Sequence, residues 1–140
     1  MPLDKGTKIY AAVLGGMVLV GLIAWLLTLD PRLGEIDRML QADPEIAGYP
    51  YRFRVLEIQR TTAVVSTPRT PDVPAVRFLA IIKPSLSGKD EQSPEMIAAE
   101  KELAAVQSKV RKLILSRPDI DQVRWRIDKE WYADKGVWLD

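Results

Sequence analysis

A run of 21 uncharged residues at positions 9–29 limits what this chain can fold into more than any other feature. The run is IYAAVLGGMVLVGLIAWLLTL. As a helix that rises about 1.5 Å per residue, it extends roughly 31 Å, which matches the hydrocarbon core of a bilayer, about 30 Å. So long an apolar run is unusual inside a small water-soluble domain. We therefore predict a leader at 1–8, one transmembrane helix at 9–29 and a soluble domain at 30–140.

A cleaved signal peptide is the main alternative for this segment. Its apolar region is about 7–15 residues long and is followed by small residues at a cleavage site. The run here is longer, and Thr28, Leu29 and Asp30 provide no such site. A core helix of a soluble protein is a further alternative. We expect an uncleaved signal anchor.

Charges that flank the run give little information on orientation. Lys5 and Lys8 precede it, and Arg32 and Arg38 follow it, so the two sides are nearly balanced. A short leader with a trailing domain is typical of an anchor with its amino terminus inside. If the source is bacterial, we expect a single-pass inner-membrane protein with its C-terminal domain in the periplasm.

Small residues recur one turn apart within the apolar run. They are Ala11, Ala12, Gly15 and Gly16. Small residues at this spacing allow another helix to approach closely, so these four are candidates for a helix–helix contact. The alternative is ordinary membrane composition, in which Ala and Gly are common.

Composition excludes several kinds of site. The chain has no Cys and no His, which excludes disulfides, thiolate metal sites and the commonest general base. From residue 30 onward, 18 Lys and Arg face 18 Asp and Glu, so the soluble part is neutral and does not suggest nucleic-acid binding. We predict no cofactor, no metal and no catalytic residue. Side chains such as Ser66, Thr67, Thr70, Asp119 and Asp121 form no recognisable catalytic motif.

The soluble part predicts an α+β domain in the order α-β-β-β-α-β. Asp30-Pro31 predicts a helix start, with Leu33, Ile36 and Leu40 on its apolar face. The alternation at 51–58 predicts a strand that either has a bulge or is buried on both faces, and the β-branched run 61–67 predicts its returning partner. The segment 75–83 is apolar on both faces and predicts a strand that is buried on both sides.

The second half of the domain carries the clearest helix start. Ser93-Pro94-Glu95 combines an N-cap, a proline at the first helical position and an acid in the first turn. A helix to about Ser116 is predicted by an apolar stripe of six residues: Met96, Ala99, Leu103, Val106, Val110 and Leu113. The alternation at 122–128 predicts a strand with one buried face. We expect the long helix to pack on one face of a mostly antiparallel sheet.

Parts of this domain resemble the BON domain, a small bacterial α-β-β-α-β module. The stretches that carry the resemblance are 36–44, 64–67, 104–115 and 120–123. The resemblance implies a periplasmic module that lies at membranes or binds phospholipid. It covers about half the chain and transfers no site residues. Residues 70–92 have no counterpart in the family, and Gln59-Arg60-Thr61 replaces its usual glycine turn.

Arginines alternate with apolar residues along two predicted strands. They are Arg52, Arg54, Arg124 and Arg126. If the two strands are neighbours, four guanidinium groups lie on one exposed sheet face and could contact phosphate or carboxylate groups, such as anionic lipid or an acidic partner. The alternative is a solvated face whose charge is balanced by Glu57, Asp121 and Asp128.

Aromatic residues near the C-terminus form the last candidate set. Trp131, Tyr132 and Trp138 either pack on the domain's own core or contact a partner or the membrane interface. Together, the features predict a non-catalytic, membrane-anchored interaction domain that serves as an accessory or assembly subunit of a membrane complex. A BON-like phospholipid-binding module is the alternative, and an enzyme with an unrecognised site is the third.

Overall fold

The computed structural model describes Pro2 and residues 4–139, which divide into two compact units, Met1–Pro31 and Arg32–Asp140. The first unit contains helix α1, Lys5–Thr28, which begins inside the predicted leader. None of its residues is buried. By length and composition, α1 could cross a membrane.

The second unit is a mixed helix and sheet domain, as predicted. Its helices are α2 (Pro31–Gln41), α3 (Pro44–Ala47), α4 (Ala75–Ile82), a 3-10 turn (Pro84–Leu86), α5 (Pro94–Leu115) and α6 (Lys129–Asp134). Its strands are β1 (Val55–Gln59), β2 (Thr62–Thr67) and β3 (Gln122–Ile127).

The helix starts that the sequence marks are present in the structure. The Ser93 hydroxyl accepts a hydrogen bond from the Met96 amide at 3.3 Å at the start of α5. The predicted stripe of α5 is buried from Met96 to Val110, but its last member, Leu113, is only half-buried and Ile114 takes its place. Alternating steps of three and four residues have a mean period of about 3.5, whereas an α-helix has about 3.6 residues per turn. The apolar positions therefore rotate slowly around a long helix, and the buried position has moved by one residue at its end.

The sheet has the order β1-β2-β3. Strands β1 and β2 form an antiparallel hairpin, and the predicted bulge lies between Val55 and Glu57. Strand β3 runs parallel to β2, with Ala63 opposite Val123 and Thr67 opposite Ile127. β2 is central because its β-branched side chains are buried on both faces.

Two predictions about the domain are wrong. Residues 75–83 do not form a strand, because Ala75–Ile82 is helix α4, which follows Pro74 and buries Phe78 and Leu79. The described sheet is therefore three-stranded, and it is not mostly antiparallel: one of its two strand pairs is parallel. A parallel neighbour requires a long crossover, which α4 and α5 provide.

The core lies on one face of this sheet. Ala63 and Val65 of β2 belong to it, together with an aromatic group that includes Tyr51, Phe53 and Phe78. Val64 is also buried, but it points to the opposite face, where its neighbours in register are polar. We call this the outer face, defined by Glu57, Val64, Ser66, Arg124 and Arg126.

Candidate functional site

The small residues of α1 lie along an exposed helix. An added Cβ at Gly15 or Gly16 would meet no atom within 4 Å. A shallow groove, lined by Val13, Gly16, Met17, Val20 and Gly21, runs along the next part of the same helix. The helix therefore offers a narrow, small-residue side on which another helix can lie closely.

The predicted arginine face forms only in part, because β2 separates the strands that carry the arginines. Arg124 and Arg126 are exposed on the outer face, in register with Val64 and Ser66. Arg54 precedes β1 and is held to the same region by two hydrogen bonds: its amide donates to the Ser66 hydroxyl, and its carbonyl accepts from the Ser66 amide. Arg52 is exposed in the extended segment before β1.

Arg54 is bound by a buried carboxylate. Its Nη1 lies 2.9 Å from Oδ2 of Asp128, which is only 4% exposed. The same carboxylate accepts a hydrogen bond from the Tyr51 hydroxyl at 2.8 Å and, through Oδ1, from the Trp131 amide at 3.1 Å. Asp128 thereby caps α6 and joins it to the segment before β1.

This network changes the titration of two of its members. Burial strongly raises the pKa of Tyr51, and the hydrogen bond to Asp128 and its negative charge add to the effect, although the Ser66 hydrogen bond opposes it. Burial lowers the pKa of Arg54, but the hydrogen bond and charge of Asp128 outweigh it, so this pKa lies above its usual value. Arg54 is therefore a structural cation with a fixed partner.

The other arginines differ in their ion pairs. Arg126 lies 2.9 Å from Glu57. Within the described part of the chain, no carboxylate lies within 4.0 Å of Arg52 or Arg124. Two of the four predicted guanidinium groups are thus neutralised, and two remain open to an outside anion.

The aromatic residues of the C-terminus separate into two groups. Tyr132 is buried and donates its hydroxyl hydrogen to the Pro68 carbonyl, and Trp131 packs against Tyr51 and Phe78. Trp138 is 80% exposed. Trp131 and Tyr132 are accounted for by packing, and Trp138 is the aromatic residue of the three that remains available for a contact.

A cleft that the sequence analysis missed lies beside β3. It has a volume of about 470 Å³ and is lined by Arg69, Thr70, Pro71, Ala75, Gln107 and Trp125. Arg69 donates from Nε to Gln107 at 3.2 Å. The sequence feature that could have indicated this cleft is the proline-rich loop 68–74, in which Arg69 lies between two prolines.

Several of the hydroxyl and carboxylate side chains named in the sequence as possible catalytic groups have structural partners. Ser66 accepts from the Arg54 amide, and Thr67 accepts from Gln107. Asp119 pairs with Arg117 at 2.9 Å, and this hydrogen bond lowers the pKa of Asp119 against the opposing effect of burial. Among the described residues, no three His, Cys, Asp or Glu side chains are grouped to hold a metal ion.

Comparisons of the chain with protein-family models, with curated proteins and with solved structures found no match. The resemblance to the BON domain stays a prediction.

Proposed function

We propose that this is a single-pass membrane protein whose soluble domain binds a membrane-protein partner without catalysing a reaction. The exposure of α1 carries the proposal: Val20 and Leu27 are 67% and 80% exposed, and the whole helix lacks buried residues. Removing apolar surface from water contributes about 25 cal/mol per Å². A bilayer offers an apolar environment of the length that this helix needs.

The proposal includes a signal anchor in a bacterial inner membrane, with the domain in the periplasm. The length of the domain that follows α1 supports this orientation, since long trailing domains are translocated largely regardless of charge. In this setting the protein is an accessory or assembly subunit. The small-residue side of α1 supports a partner helix, and the exposed guanidinium groups of Arg52 and Arg124 support an acidic partner surface.

Fractionation of cells that express the full chain tests the anchor. We expect the intact chain, with its N-terminal residues present by mass spectrometry, in membranes washed with carbonate, and release only by detergent. Recovery of an uncut, monodisperse chain from the aqueous fraction without detergent would overturn the proposal. A mass that lacks α1 would instead identify a cleaved signal peptide.

Purification in mild detergent tests the role of the domain. A membrane protein that is recovered at constant stoichiometry with the full chain supports an accessory subunit. We expect its recovery to fall when Arg52 and Arg124 are both replaced by Glu, because both side chains are exposed and lack a described carboxylate partner. Recovery of the chain without any protein partner contradicts this part of the proposal.

Binding of anionic phospholipid is the second candidate, and the same two arginines favour it. For the test, the full chain is held in detergent-free nanodiscs. Its binding to vesicles of phosphatidylglycerol is compared with its binding to vesicles of phosphatidylcholine. Preferential binding to phosphatidylglycerol that is lost at high salt supports a lipid-binding module. Equal binding to both vesicles rejects it.

A further inference from the structure

Strand β3 has a free edge. Gln122 and Asp128 donate their amide hydrogens toward β2, to the carbonyl oxygens of Thr61 and Thr67, at 3.3 and 3.0 Å. Successive amide groups of a strand point to opposite sides, so those of Val123, Trp125 and Ile127 point away from β2. No other strand in the described part of the chain pairs with this side of β3. An unpaired row of amide and carbonyl groups is a template for another strand.

Trp125 belongs both to this edge and to the cleft. Its backbone amide points to the free side of β3. Its half-buried ring lines the cleft of about 470 Å³ together with Arg69 and Gln107. A strand that paired with β3 would place every second side chain on the cleft side of the sheet. The remaining side chains would lie on the outer face, beside Arg124 and Arg126.

The charges around the edge select the kind of strand. Arg69 at the cleft and Arg124 on the outer face have no carboxylate within 4.0 Å in the described chain. Arg126 is held by Glu57. Opposite charges on directly facing strands are stabilising, so acidic residues on the outer face of an added strand would be favoured.

A second copy of this chain is a poor occupant of the edge. Antiparallel pairing of two β3 strands about Trp125 would set Arg124 opposite Arg126 of the other copy. Pairing about Arg124 would set that residue opposite itself. Like charges that face each other across strands destabilise the pair, so these arginines act against self-association.

We propose that the free edge of β3 binds an extended segment of a partner protein in which acidic and apolar residues alternate. The acidic side chains face Arg124, the apolar ones face Trp125 and the cleft, and the backbone of Val123, Trp125 and Ile127 pairs with the segment. This is strand addition to an open sheet edge. The inference rests on the proposed partner-binding function and specifies its chemistry.

The test uses the full chain in a nonionic detergent and a capped synthetic peptide, Glu-Val-Glu-Val-Glu-Val-Glu, as the probe. Two control peptides carry Lys at every Glu, or Pro at every Val. We expect binding of the first peptide, measured by fluorescence anisotropy, and no binding of the proline peptide, because proline lacks the amide donor and is excluded from paired strands.

A charge exchange then tests the register. Arg124→Glu is expected to weaken binding of the Glu peptide about tenfold or more and to create binding of the Lys peptide. Arg111→Glu makes the same change at an exposed arginine of α5 and is expected to leave binding unchanged. Equal losses in the two variants would show non-specific attraction and overturn the proposal.

Amide hydrogen exchange distinguishes strand pairing from simple charge attraction, because charge attraction alone would not protect the amides of β3. At saturating peptide, the amides of Val123, Trp125 and Ile127 should exchange at least about tenfold more slowly, whereas the amide of Arg124, which already points to β2, should not change. Unchanged exchange at the three amides overturns the proposal. Peptide binding that is observed only when phosphatidylglycerol vesicles are present overturns it as well. If the peptide fails while a membrane protein still co-purifies, the proposed function stands and strand addition at β3 is rejected.

Discussion

The hydroxyl of Tyr51 lies 2.8 Å from the carboxylate of Asp128, which is 77 positions further along the chain. The same carboxylate binds Arg54 and caps α6, so one buried group connects the segment before β1 to the end of β3. Removing the charge of Asp128 leaves the Arg54 guanidinium and the Tyr51 hydroxyl with a weaker hydrogen-bond acceptor.

Asp128→Asn is therefore expected to destabilise the domain by about 2 kcal/mol, since a hydrogen bond to a charged group contributes about 1.5–3 kcal/mol. Asn retains most of the capping function, which isolates the loss of charge. Glu130→Gln is the matched control: Glu130 lies 3.9 Å from the same arginine but is 91% exposed. We expect no measurable change there, because exposed ion pairs contribute little. Urea unfolding of the full chain in detergent measures both, and equal effects would contradict the importance of burial.

Three buried tyrosines predict a loss of stability at alkaline pH. Burial is the main cause that raises the pKa of Tyr49 and of Tyr132 to about 12, and the pKa of Tyr51 is also raised. Above the ordinary pKa of about 10, the unfolded chain releases these protons while the folded chain keeps them. The contribution of these tyrosines to the free energy of unfolding should therefore be constant below pH 10. Between about pH 10 and 12 it should fall by about 1.4 kcal/mol per pH unit for each tyrosine. Unfolding curves across this range, together with phenolate absorbance of the folded chain, measure the effect.

Tyr49 and Tyr132 predict opposite effects of the same substitution. The Tyr49 hydroxyl is buried and has no hydrogen-bond partner among the described residues, whereas the Tyr132 hydroxyl donates to Pro68. Tyr49→Phe should stabilise the domain by about 1 kcal/mol at neutral pH, and Tyr132→Phe should destabilise it by about as much. Thermal unfolding followed by near-UV circular dichroism compares the two. Tyr49→Phe should also reduce the alkaline slope by one proton, and the same sign for both variants would contradict the hydrogen-bond assignment.

The turn between β1 and β2 predicts a stabilising change. Arg60 adopts a φ of 58°, in the left-handed region, where a side chain costs roughly 1–2 kcal/mol and glycine does not. Arg60→Gly loses part of this gain because glycine is more flexible in the unfolded chain, so we expect a net stabilisation of about 0.5 kcal/mol. Thr61→Gly, at the neighbouring turn position without a positive φ, should destabilise the domain instead. Urea midpoints of the two variants distinguish these outcomes.

Local signals predicted the elements well. Ser93-Pro94-Glu95 marked the start of α5, and Asp30-Pro31 marked the start of α2, because helix starts are decided by neighbouring residues. The strand predicted at 75–83 was wrong because a mostly apolar segment of nine residues fits both the period of a strand and the period of a helix. Ala75, Phe78, Leu79 and Ile82 are also spaced as a helix face, and the alternation of Val76 with Phe78 concealed this.

Long-range relationships could not be predicted from local patterns. The sequence placed Arg54 and Arg126 on strands, but it did not indicate that β2 would separate those strands or that Asp128 would neutralise Arg54 from 74 positions away. The cleft beside Trp125 similarly depends on the packing of α5 on β3. Burial of Tyr132 was one of two open alternatives, since an aromatic residue near a terminus fits a core and an interface equally well.

The small residues of α1 predict a difference between two identical substitutions. Ala12 lies within the group formed by Ala11, Gly15 and Gly16, whereas Ala24 lies about 120° away around a helix of 3.6 residues per turn. Ala12→Leu adds bulk where we expect the partner helix, and Ala24→Leu adds the same bulk elsewhere while keeping the apolar length. We expect Ala12→Leu to reduce recovery of the co-purified membrane protein about threefold, which corresponds to about 0.65 kcal/mol of lost association, and Ala24→Leu to leave recovery unchanged. Both variants should remain in the carbonate-washed membrane, because neither lowers the hydropathy of α1. Equal recovery from the two variants would remove the small-residue side of α1 as the contact and leave the soluble domain as the surface that binds the partner.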